Sequence, residues 1–78
     1  MNKLKEILAK VLEVNPDQIT LQTSPDSVET WDSYSGLLMV TELEDGYRVK
    51  FTMAEVRSVK SVKDIVAILR TRGIDIQE

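Results

Sequence analysis

The sequence predicts an all-α fold, a small bundle of three main helices plus one short helix, with a long loop between helices 1 and 2. Three observations predict it. Apolar residues recur at i, i+3 and i+4 spacing in three segments. Both prolines fall between the first and second of these segments, among Ser, Thr and Asp. The chain has 78 residues, which fits one domain over residues 1–78 and one modest core, burying about 60% of the unfolded surface.

The first helix spans residues 3–14 in this reading. Leu4, Ile7, Leu8, Val11 and Leu12 form its apolar stripe, and Glu6 and Lys10 pair across one turn of its polar side. Asn15-Pro16 stops it, because the residue before proline is pushed out of the helical region. Residues 15–31 then form a long connection. Ile19, Leu21, Val28 and Trp31 recur along it and tack it onto the core, so it is expected to be ordered. The second helix runs over 33–46, and a short third element lies near 53–58. The last helix starts at Ser61, an N-cap with Asp64 as its capping-box partner. Val62, Ile65, Val66 and Leu69 give it a buried stripe. Arg70 and Arg72 suit its negative end, and Gly73 closes it. The tail Ile74-Asp75-Ile76-Gln77-Glu78 is expected to fray.

Composition removes whole classes of function. Cys and His are both absent. No disulfide framework, thiolate nucleophile, His/Cys zinc site or Ser-His-Asp triad can be built. No catalytic or metal-ligating residue is assigned, and an enzyme is not expected. No apolar run approaches the ~18 residues of a membrane span. The lysine-bearing N-terminus alternates charge with apolar residues and lacks the pattern of a signal peptide, so a cytoplasmic address is expected; the chain is separately expected to be a monomer. Charge is unevenly spread. Residues 1–14 carry three Lys and two acids, 15–47 carry seven acids and no Lys or Arg, and 48–78 carry seven basic and four acidic residues. The acidic middle argues against nucleic acid. The basic last third reads as a solvated face, because aromatics for base stacking are nearly absent.

The second helix carries more apolar surface than one core needs. With Leu43 at the centre of the buried face and about 100° per residue, Gly36, Met39, Val40 and Tyr47 fall within about 60° of it. Gly36 is therefore expected to pack closely against a neighbouring helix. Tyr34, Leu37, Leu38, Thr41 and Asp45 fall on the opposite side. An apolar face left uncovered suggests an interaction surface; the alternative is that the loop before the helix or the short third helix covers part of it. At the head of this helix Asp32 is an N-cap, and Ser33 follows it in the first turn. Free backbone N–H groups and the positive end of the helix dipole suit an anion there. A phosphodiester on Ser33 would sit well, at the end of a loop that a modifying enzyme can reach.

These residues resemble the acyl carrier protein family over about residues 3–72. The family places an Asp-Ser pair at the start of its second helix, here Asp32-Ser33 after Trp31. That helix ends in a Leu-Glu-acidic run followed by an aromatic, here Leu43-Glu44-Asp45 and Tyr47. Val14, Asn15, Pro16, Asp17 and Ile19 resemble the beginning of the family's loop, and Ser61-Val62-Lys63-Asp64-Ile65 the opening of its last helix.

The resemblance implies that Ser33 receives 4′-phosphopantetheine from coenzyme A through a phosphopantetheinyl transferase. The arm's thiol would carry acyl groups as thioesters between acyl-loading enzymes and synthases. Tyr34, Leu37, Leu38 and Thr41 would form the apolar part of the partner face, with Glu44 and Asp45 as a charged rim. Tyr34 stands where Leu is usual, and Ser35 and Leu38 where fatty acid carriers often have acids. These departures fit a specialised carrier in polyketide or lipid biosynthesis at least as well as a fatty acid carrier. An aminoacyl or peptidyl carrier is an alternative, although Thr30-Trp31-Asp32 lacks the Gly-Gly approach common there. So is an unmodified helical interaction module in which Asp32 and Ser33 only cap.

Overall fold

A computed structural model of the chain describes residues 2–76. Helix α1 spans Asn2–Leu12, α2 Ser33–Tyr47, α3 Met53–Ser58 and α4 Val62–Thr71, with a single 3-10 turn at Pro16–Gln18. There is no strand among the described residues, so the all-α expectation holds.

Helix α1 buries Leu4, Leu8, Ala9 and Leu12 along one line, and Ile7 and Val11 flank it half-buried. The helix ends two residues before the expected position, and Pro16 is not the cause. Glu13 turns into the left-handed region (φ 58), and the Val14 N–H returns to the Ala9 carbonyl at 3.1 Å. This six-to-one bond satisfies a carbonyl that the helix leaves open. Asn15 then starts the 3-10 turn. Its side chain accepts the Asp17 N–H while the Gln18 side chain accepts the Asn15 N–H.

The loop from 19 to 31 is ordered by its own hydroxyls. Ile19 and Trp31 are buried in the core. Thr23, which the periodicity did not single out, is buried too. Its Oγ1 accepts the Thr20 N–H at 2.8 Å and donates to the Gln18 carbonyl at 3.3 Å. The Thr30 hydroxyl donates to the Leu12 carbonyl at 2.6 Å, tying the end of the loop to the end of α1.

This loop also caps α4. Ser61 precedes the helix as expected, but its side chain makes no capping bond. The Val62 and Lys63 N–H groups donate to the Thr23 and Leu21 carbonyls at 2.9 and 3.0 Å. With those donors satisfied by backbone, Asp64 turns its carboxylate to the Lys60 N–H at 2.8 Å rather than completing a box with Ser61. Val62, Ile65, Val66 and Leu69 are buried as predicted, joined by Ile68. Gly73 (φ 79) closes the helix. Its N–H meets the Arg70 carbonyl, and the Ile74 N–H meets that of Leu69. The tail does not fray where it is described. Ile76 is buried, Ile74 packs beside it, and an Arg70 guanidinium N–H holds the Ile76 carbonyl at 3.0 Å. Gln77 and Glu78 lie outside the described residues.

Helix α1 packs tightly against α2 at Gly46. A Cβ there would stand 3.0 Å from Ile7 Cδ1, and Lys3 Nζ donates to the Gly46 carbonyl at 2.6 Å while lying over the Tyr47 ring. The expectation that Gly36 is the close-packing glycine is therefore corrected. Gly36 is only half-buried, and a Cβ on it would meet nothing nearer than Trp31 Nε1 at 3.7 Å. The wheel gave its direction, but at that end of α2 a cleft stands where a packed helix was expected.

Candidate functional site

The site is the first turn of α2. Asp32 has extended backbone (φ −126, ψ −169) and caps the helix with its side chain. Its Oδ1 accepts the Ser35 N–H at 2.9 Å, and Ser35 Oγ accepts the Asp32 N–H at 2.8 Å. The same Ser35 hydroxyl donates to the Thr30 carbonyl at 2.7 Å. Ser35 is buried, so the loop's end and the helix's start are locked by one small side chain. The Asp-x-x-Ser spacing is a capping-box pattern and was the available signal for this role.

The Ser35 N–H is the main reason the Asp32 carboxyl sits below the usual carboxylate range, with the Ser35 hydroxyl and Tyr34 N–H contributing. Asp32 makes no hydrogen bond to the Ser33 hydroxyl; its side chain is bonded to Ser35. Ser33, the first residue of α2, is exposed, and its hydroxyl bonds to no described residue. The two neighbouring serines are thus opposite in kind. One is buried and fully bonded; the other is presented to solvent at the positive end of the helix.

An apolar cleft of about 280 Å³ opens at Ser33 between α2, α3 and the loop. Leu37, Val40, Val56 and Val59 are among its walls, together with Trp31. The sequence reading placed Val40 in the core and did not find this cleft, because α3 and the loop meet α2 only in three dimensions. A second, open groove between α1 and α2 is lined by Val11, Tyr34, Leu38 and Thr41. Lys10 and Glu42 bridge its rim at 3.8 Å.

The other residues assigned from sequence divide clearly. Tyr34 is 71% exposed, Leu37 54% and Leu38 40%. Thr41 is exposed and donates its hydroxyl to the Leu37 carbonyl at 3.0 Å. Asp45 is exposed. Glu44 turns the other way. It is half-buried, and its Oε2 accepts the Phe51 N–H at 2.7 Å, so it holds the segment after α2. Met53 on α3 adds a further exposed apolar side chain, 60% accessible. Glu55 on α3 is engaged by Arg72, which depresses its carboxyl, while Arg57, Lys60 and Lys63 are exposed without ion pairs among the described residues. No group of acidic, His or Cys side chains among the described residues could hold a metal ion. No described helix is long and apolar enough to cross a membrane.

A helical bundle that presents a free serine hydroxyl at a capped helix start offers that hydroxyl as a point of attachment. Residues 2–69 match the family described as Phosphopantetheine attachment site, and the chain belongs to that family. Its members attach 4′-phosphopantetheine covalently and are carriers, not enzymes. Among solved structures, the fold is similar to a Mycobacterium tuberculosis protein assigned as an acyl carrier protein. The TM-score is 0.80 at 18% identity, covering 90% of this chain and 93% of that one. It is also similar to the holo acyl carrier protein of Geobacter metallireducens, with a TM-score of 0.76 at 25% identity, over 97% and 93% of the two chains. No curated protein sequence gives a significant match. The residues present fit the arm: Ser33 is reachable and unbonded, and an apolar cleft starts beside it.

Proposed function

We propose that this chain works as one carrier domain, modified at Ser33, that moves acyl intermediates in a specialised polyketide or lipid pathway. The observation that carries the assignment is the free, exposed Ser33 hydroxyl beside the buried and bonded Ser35. In the modification, Ser33 Oγ attacks the pantetheine-side phosphorus of coenzyme A's diphosphate, the bond from that phosphorus to the bridging oxygen breaks, and adenosine 3′,5′-bisphosphate leaves. The hydroxyl proton goes to a base on the transferase, since no described residue of this chain bonds the Ser33 hydroxyl. The attached arm supplies a thiol that carries acyl groups as thioesters. The chain's own residues do the rest. Asp32 and Ser35 fix the helix start from which Ser33 is presented, and the positive end of α2 favours the new phosphodiester. Tyr34, Leu37, Leu38 and Thr41 form an apolar docking face for transferase, loading enzymes and synthases. Asp45 provides its charged rim, while Glu44 supports the face from behind through Phe51. Such work belongs in the cytoplasm, with the chain as a monomer between encounters.

The test is intact mass after incubation with coenzyme A and a broad-specificity transferase. Wild type gains one phosphopantetheine and Ser33→Ala gains none. An unchanged wild-type mass would favour the unmodified interaction module. Gain by Ser33→Ala would place the site elsewhere.

A further inference from the structure

Two features of the cleft below Ser33 are left unexplained by its apolar walls. Trp31 is 6% exposed; its indole N–H donates to no protein group among the described residues and keeps contact with solvent. A tryptophan N–H so placed is open to pair with an acceptor that displaces that water. Gly36 sits in the interior of α2, where glycine is disfavoured relative to alanine, and no neighbour presses on it. The two meet at one point: a Cβ on Gly36 would stand 3.7 Å from Trp31 Nε1. The missing side chain leaves space directly beside the unpaired donor. Both residues line the same cleft, which Ser33 borders at its mouth.

The remaining polar side chains of the cleft are Asp32 and Ser33. Neither accepts the indole N–H: Asp32 is bonded to Ser35, and Ser33 Oγ bonds to no described residue. A purely hydrocarbon ligand would fill the apolar walls and strip water from the N–H without replacing it, which is unfavourable. A ligand with an oxygen acceptor at that depth would fill the walls and pair the donor.

We infer that Trp31 Nε1 and the space kept by Gly36 form a polar subsite for a carbonyl oxygen of the group tethered at Ser33. It rests on the carrier reading above. The oxygen can come from an amide of the arm or from an oxo group on the carried acyl chain. Trp31 is then a specificity-determining residue. With an oxo group as its partner, the cleft would retain an oxygenated chain better than the saturated chain of equal length.

The chain contains a single tryptophan, so 15N-labelled protein shows one indole N–H resonance. Its position is compared in the unmodified, phosphopantetheinylated, hexanoyl-loaded and 3-oxohexanoyl-loaded forms. A downfield shift of the indole proton already present in the phosphopantetheinylated form assigns the oxygen to the arm. A shift confined to the 3-oxohexanoyl form assigns it to the cargo. Gly36→Leu, which fills the space, should gain the same mass yet lose the shift. If that variant does not fold, the wild-type series decides alone. An indole resonance that stays put across all loaded forms, or that moves equally in Gly36→Leu, overturns the subsite. Mass spectra of the same samples separate the two readings. Failure of Ser33 to gain mass removes the carrier assignment and the subsite with it, whereas full loading with a silent indole removes only the subsite.

Discussion

Ser35 Oγ accepts the Asp32 N–H at 2.8 Å and donates to the Thr30 carbonyl at 2.7 Å, while the Asp32 carboxylate accepts the Ser35 N–H at 2.9 Å. This reciprocal pair fixes where α2 begins and leaves Ser33 between them with a free hydroxyl. It predicts opposite results for two serine-to-alanine changes. Ser35→Ala removes a cap and strands the Thr30 carbonyl, and should destabilise the fold by about 1 kcal/mol. Ser33→Ala should stay within about 0.5 kcal/mol of wild type. Urea unfolding of both variants checks this, and equal losses would contradict it.

The same pair predicts a response to acid. Hydrogen bonds, chiefly from the Ser35 N–H, hold the Asp32 carboxyl below its ordinary value, and Arg72 chiefly does so for Glu55. A depressed folded value means that the stabilisation is complete above the unfolded value. It is lost as pH falls through about 4 and toward the folded value. The thermal midpoint should therefore drop from pH 6 to pH 3. Asp32→Asn keeps a capping oxygen without a titrating charge, so its midpoint should drop less over that range. An identical drop would show that Asp32 contributes nothing to the acid response.

The two glycines of α2 should separate under substitution. Gly36→Ala adds a side chain where there is room and should stabilise by up to about 1 kcal/mol. Gly46→Leu would drive bulk into Ile7, only 3.0 Å from the added Cβ, and should cost about 1–3 kcal/mol. Denaturant midpoints of the two variants provide the check, and the reverse order would mean that the α1–α2 contact is misplaced.

Docking on the outward face should be governed by apolar contact. Leu38→Glu puts a charge among Tyr34, Leu38 and Thr41 along the α1–α2 groove. It should lower kcat/KM for a phosphopantetheinyl transferase roughly tenfold, about 1.4 kcal/mol. Wild type should show only a shallow salt dependence, since few exposed charge pairs are there to be screened. The assay is transferase rate over a salt series. Equal rates for the two proteins, or a steep salt slope for wild type, would favour recognition through charge.

By itself the sequence determined what repeats locally. The stripes of α1 and α4, the bounds of α2 to within a residue, the Asp32 cap and the outward apolar side chains all follow from 3.6-residue spacing and capping chemistry within four residues. Tertiary structure decided what depends on partners distant in the chain. The α4 N-terminus is capped by the Thr23 and Leu21 carbonyls rather than Ser61, because a well-placed backbone acceptor makes a side-chain cap redundant. Glu44, legible only as an acid near a helix end, is turned inward by the Phe51 N–H. Gly36 and Gly46 are indistinguishable as mid-helix glycines until Ile7 arrives beside one and a cleft opens beside the other. Periodicity gives the direction of a side chain about its own axis. What stands in that direction is set by packing, and packing is fixed only when the whole core forms.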